Sequence, residues 1–101
     1  MRSVGFSILF VAFLAAFGAT AAQAFDLNGE VRNKSGAPQG NVQVDFEGPR
    51  AFFAITDARG RFNIRGFEPG RYSVRVHRGR SSQTFFRIID EGNRQVFVVD
   101  W

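Results

Sequence analysis

"RGRFNIRGFEPGRYSVRVHRGR", residues 59–80, holds seven arginines, four glycines and a single acid. Such a stretch is either a flexible Gly-Arg tether for nucleic acid or folded chain whose glycines mark turns. The spacing of its apolar residues decides between them. Phe62 and Ile64, then Tyr72, Val74 and Val76, recur at every second position, separated by Arg61, Asn63, Arg65, Arg71, Ser73, Arg75 and His77. A flexible tether lacks aromatic and β-branched residues at period two, whereas a half-buried strand requires them. Gly60, Gly66 and Gly70 fall between the alternating runs, where turns belong.

Outward from this stretch the same alternation continues. Asp57-Ala58-Arg59-Gly60 sets a turn-initiating carboxylate and a glycine at the two ends of a type I turn. A hairpin is expected about it, with Ile55 opposite Phe62 and Phe53 opposite Ile64, all four on the inner face. In that turn Asp57 caps its own backbone. Upstream, Leu27, Gly29 and Val31 share one face of a first strand, and residues 33–40 have a loop composition. Val42, Val44 and Phe46 form the apolar side of the next strand, which Gly48-Pro49 breaks. Downstream, Pro69 fixes φ and Gly70 permits a left-handed turn. Residues 77–82 read as a polar, mobile loop. A last hairpin is expected from Gln83 to Ile89 and from Gln95 to Trp101.

The first 24 residues read as an address. After Arg2 the chain is uncharged from Val4 to Ala24, runs apolar through Ile8–Leu14, and ends Ala22-Gln23-Ala24, the small-residue pattern of a signal-peptidase site. Cleavage after Ala24 is expected, leaving one domain over residues 25–101 that is secreted or periplasmic. Membrane attachment would come only through an uncleaved segment. Losing Arg2 takes the formal net charge from +4 to +3, a mild excess. The chain has no cysteine, which removes disulfides, thiolate metal sites and a lipid anchor at the cleavage site. A domain of about 75 residues buries only about 60% of its unfolded surface, so its stability rests on aromatic packing. Nine of the chain's 13 phenylalanines lie in residues 25–101 and supply that packing.

Several motifs together resemble the carboxypeptidase regulatory-like domain, of the transthyretin-like and collagen-adhesin B-type group. They are Gly29-Glu30-Val31, Ser35-Gly36-Ala37-Pro38 with Gly40, Val42-Gln43-Val44, Thr56–Phe62 and Gly66–Val74. The resemblance implies an all-β, seven-stranded Greek-key β-sandwich, immunoglobulin/prealbumin-like. It implies that Tyr72 is a corner tyrosine bonded to nearby backbone and that Phe67 plugs one end of the sandwich. It also implies that Glu68-Pro69-Gly70 crosses between sheets, which would put Arg61 and Arg65 on one side of the molecule and Arg71 and Arg75 on the other. Asp57, Gly60, Pro69, Gly70 and Tyr72 are thus assigned structural turn and corner roles.

The residues of known chemistries do not assemble. Enzymes of related fold need more than one histidine, and iron or zinc sites need three or four ligands; His77 is the only histidine. No enzyme activity, cofactor or metal is expected, and His77 is expected to be solvated at a strand end. Nucleic acid is not expected as a partner, since the charge is small and split over two faces. The doubly apolar last hairpin is the candidate functional feature. With Thr84, Phe86, Ile88, Val96 and Val98 assigned inward, Phe85, Ile89, Phe97, Val99 and Trp101 form an exposed surface. The expected function is a non-catalytic exported module in protein–protein interaction or self-association, or a structural accessory. The alternative is a carbohydrate-binding module that stacks sugars on exposed aromatic rings.

Overall fold

The computed structural model describes residues 23–91 and 94–101. Of the expected signal segment, residues 1–22 lie outside the described residues. Seven strands follow: β1 (Phe25–Asn33), β2 (Gln43–Glu47), β3 (Phe52–Ile55), β4 (Arg61–Phe67), β5 (Gly70–Arg78), β6 (Ser81–Ile89) and β7 (Gln95–Val99). They form an immunoglobulin-like sandwich of a three-stranded sheet, ordered β4-β1-β7, and a four-stranded sheet, ordered β3-β2-β5-β6.

Period-two alternation delivers the core. Leu27 and Val31 from β1, Phe62, Ile64 and Phe67 from β4, and Phe97 and Val99 from β7 meet Val44 and Phe46 from β2, Tyr72, Val74 and Val76 from β5 and Ile89 from β6. Phe46 stands at the centre, edge-on to Phe67 at 5.1 Å and to Phe97 at 6.3 Å. Tilted and edge-to-face rings at such distances stabilise a core beyond their area alone. Gly29 pairs with Phe62 across β1 and β4, and the Phe62 ring fills the space where a Cβ would lie.

The corner between β4 and β5 does cross between sheets. Arg61 and Arg65 therefore lie on the opposite side of the molecule from Arg71 and Arg75. Tyr72 is buried and its hydroxyl donates to Glu68 O at 2.7 Å. Phe67, fully buried, closes this end against Phe25, Phe52 and Tyr72. Two glycines of the corner have positive φ, Gly66 at +69° as well as the expected Gly70. Gly70 opens β5 at φ +155° against the Pro49 ring.

Four local readings are corrected. Residues 51–65 are not a hairpin: β3 pairs with β2, β4 pairs with β1, and the segment between them passes from one sheet to the other. The turn itself is as expected, with Gly60 N donating to Asp57 O at 2.9 Å and Asp57 N to Arg61 O at 2.9 Å. That local bonding is the same whether the flanking strands pair or part. What separates them is Thr56, which is buried and ties the end of β3 to the β2 side. It donates through Oγ1 to Gln39 O at 2.7 Å and accepts from Val42 N at 2.9 Å. The β3 phase also inverts, so Phe52 and Ala54 point inward while Phe53 and Ile55 point out.

Residues 83–101 are likewise not a hairpin. β6 is antiparallel to β5, and β7 runs parallel to β1 in the other sheet. Residues 77–82 form no loose loop. β5 and β6 pair as far as Arg78 and Ser81, joined by the tight Gly79-Arg80 turn with Gly79 at φ +58°.

Candidate interaction surface

The five residues expected to form an exposed patch lie inside. Ile89, Phe97 and Val99 are fully buried, while Phe85 and Trp101 pack half-buried against the core. The Phe85 ring meets Phe97 at 5.2 Å. The expectation was out of phase by one residue, and the pairing with β5 gives the reason. Val74, whose inward direction is unambiguous, stands opposite Phe85 and turns it inward too. A hairpin drawn through Gly79-Arg80 would have carried this phase from β5 into β6. Arg87 takes the remaining inward position at the open side of the sandwich. Its guanidinium lies 4.6 Å from the Phe97 ring centre and 5.4 Å from that of Phe85, and donates to Gln95 Oε1 and Val96 O at 3.3 Å. An inward charge on an edge strand protects that edge from open-ended pairing.

With the phases corrected, a different surface emerges. Among the described residues the exposed large apolar ones are Phe53, Ile55, Phe86, Ile88 and Val98, of which the first four share the outer face of the four-stranded sheet. Phe86 is 79% exposed and Ile88 66%. The register orders this face into rows. Ile55, Gln43, His77 and Ser82 form one row, and Phe53, Asp45, Arg75 and Thr84 the next. Glu47, Ser73 and Phe86 follow, then Arg71 and Ile88. Read along the strands, the face has an apolar rim on β3, an acidic stripe on β2, a basic stripe on β5 and an apolar rim on β6. Shallow depressions open onto it, one against Arg71, Phe86 and Ile88, another against Gln43, Ile55 and His77.

Hydrogen bonds hold the centre of the face. His77 is not a free strand-end residue: its Nε2 lies 2.8 Å from Asp45 Oδ2, and Gln43 Nε2 donates to Asp45 Oδ1 at 2.8 Å. Arg75 Nε donates to Ser82 Oγ at 3.1 Å. Glu47 and Arg71 have no ion-pair partner among the described residues.

The turn and corner residues stand at the sandwich ends. Asp57 Oδ1 accepts from Arg59 N at 2.8 Å and Arg61 N at 3.0 Å. The Arg61 N–H foremost, with that of Arg59 and both guanidinium charges, holds the Asp57 carboxyl below its ordinary range. Gly60, at φ +74°, has no room for a side chain, because Val31 O and Gln39 N stand where a Cβ would lie. Burial, with Glu68 nearby, pushes the Tyr72 phenol up. Among the described residues no group of three or more histidines and carboxylates stands close enough to hold a metal ion.

The polar groups described above serve the turns, the corners and the striped outer face of an all-β sandwich. A family model of the carboxypeptidase regulatory-like domain matches residues 26–99, and the chain belongs to that family. The domain is a non-catalytic β-sandwich module. No curated protein matches the sequence.

Proposed function

We propose that this domain is an exported protein-interaction module that docks through the outer face of its four-stranded sheet. One observation carries the reading: Phe53, Ile55, Phe86 and Ile88, all large and exposed, stand on a single face. Apolar side chains gathered on one face of a small domain mark a contact surface, whereas singly scattered ones need no explanation. Export rests on the character of residues 1–24. It is compatible with a first strand that opens at Phe25, so that cleavage after Ala24 leaves every strand whole. Sugar stacking has less support, since the single tryptophan packs against the core and the single tyrosine is buried.

The test is crosslinking in the native compartment with the wild-type chain and with Phe86→Ser/Ile88→Ser. The double variant is expected to keep its melting temperature and lose its crosslinked species. An unchanged set of crosslinks would refute the docking face. N-terminal sequencing of the exported protein is expected to begin at Phe25.

A further inference from the structure

We infer that the occupant of this face is a second copy of the same chain, packed face to face about a two-fold axis that runs parallel to the strands between β2 and β5. The inference rests on the docking face proposed above and adds its partner.

It follows from the order of the stripes. A two-fold axis in that position keeps each residue's level along the strands and exchanges β3 with β6 and β2 with β5. The sequence of stripes, apolar, acidic, basic, apolar, is turned into its own complement. Asp45 and Arg75 occupy one row on neighbouring strands. After the rotation, Asp45 of one copy stands over Arg75 of the second copy, and Arg75 over its Asp45. Glu47, one row further, comes to Ser73 of the second copy, between its Arg71 and Arg75. Phe53 meets Thr84 at its own level and neighbours Phe86, because Thr84 shares the Phe53 row and Phe86 lies one row on. The same operation sets Ile55 over Ser82 of the second copy, brings Phe86 to the end of its β3 and leaves Ile88 one row beyond.

The charges are available for this use. Glu47 and Arg71 are unpaired among the described residues, Arg75 bonds only the neutral Ser82, and about a third of the Asp45 side chain remains exposed beside His77. Four strands spaced about 4.8 Å apart give a face roughly 20 Å wide, and three to four rows give it a similar length. That area lies below the roughly 800 Å² per partner of a standard stable interface, so the pair exchanges rapidly with the monomer. Strand directions held near parallel across the contact match the aligned packing of stacked sheets.

The experiment is sedimentation equilibrium of residues 25–101, which contain all seven strands, between about 1 µM and about 1 mM. The weight-average mass is expected to rise from that of the monomer towards twice that value. Asp45→Arg and Arg75→Asp are each expected to weaken association at least about tenfold, because like charges then face each other twice per dimer. An equimolar mixture of the two variants restores both opposed pairs and is expected to recover the wild-type association. Glu47→Arg, which breaks no ion pair within the chain, is expected to weaken association without changing the far-ultraviolet spectrum. A monomer at every concentration, or variants that fail to rescue each other when mixed, would overturn the second-copy inference. If the domain stays monomeric while Phe86→Ser/Ile88→Ser still loses its crosslinks, the docking face stands and this occupant falls. If a dimer forms that none of these substitutions affects, both readings fall.

Discussion

Replacing Gly29 by alanine tests how the two sheets fit together. The new Cβ would fall 2.6 Å from Phe62 Cε2 and closer still to Cζ, well inside van der Waals contact. The ring has little freedom to move away, since it stands 6.0 Å from the Phe46 ring centre and stacks at 6.5 Å on Phe97. Overpacking of this kind costs about 2–3 kcal/mol. Alanine also restricts the unfolded chain, which offsets about 0.5 kcal/mol. The net loss is about 2 kcal/mol, and for a domain of this size it lowers the melting temperature by about 8–16 °C. Phe62→Leu alone removes ring contacts and costs about 1–2 kcal/mol, at the low end for aromatic truncation. In the double variant the smaller side chain leaves room for the Cβ. The two losses should then fall short of their sum by at least about 1 kcal/mol. Thermal and urea unfolding of the four proteins gives this cycle directly. A Gly29→Ala loss below about 0.5 kcal/mol, or additive losses, would refute the cross-strand fit of Gly29 to Phe62.

Other parts of the fold give shorter tests. Tyr72→Phe removes the bond to Glu68 O and should cost about 1 kcal/mol in urea unfolding, with the near-ultraviolet spectrum still that of a packed core. The backbone N–H groups of Arg61 and then Arg59 hold the Asp57 carboxyl below the ordinary aspartate value in the folded protein. Its stabilisation is therefore complete above that value and is lost as pH falls through the lower folded value. Melting curves of Asp57→Asn taken from neutral pH to pH about 2.5 should accordingly show a shallower acid decline than wild type. Arg87→Lys keeps the charge but loses the planar group over Phe97 and the fork to Gln95 and Val96. It should lower stability by about 1 kcal/mol, measured by denaturant unfolding.

The all-β class and the sandwich were legible because most strands alternate cleanly between a buried and a solvated face. Tyr72, Val74 and Val76 against Arg71, Ser73, Arg75 and His77 admit one phase only. The strands that misled are apolar on both faces: β3 with Phe52, Phe53, Ala54 and Ile55, β6 with Phe85, Phe86, Ile88 and Ile89, and β7 with Val96, Phe97, Val98 and Val99. Alternation there fits either phase, and the true one is imposed by the neighbouring strand through backbone pairing. Arg87 added to the ambiguity, since a charged residue turned inward reads as an outward one until the rings it covers are known. Pairing was equally hidden at Asp57–Gly60, where the local turn bonds are satisfied alike by a hairpin and by a crossing. The pairing of Asp45 with His77 had no linear signature either, because the two lie 32 residues apart on adjacent strands. The docking face inherits these limits. Its rims sit on two of the strands whose phase the sequence left open.

The placement of β1 between β4 and β7 bears on the order in which the chain becomes folded. A strand in the middle of a sheet needs both flanks, and here the flanks arrive after residues 61 and 95. Leu27 therefore waits for Ile64 of β4, Val31 waits for Phe97 of β7 more than sixty residues further on, and the parallel partner comes last. Pairings so distant in sequence form slowly. A chain threaded through a membrane pore from its N-terminus would thus remain extended until nearly all of it had passed. In a chain so threaded the three-stranded sheet would close last, since β7 is both its edge strand and the last strand in sequence.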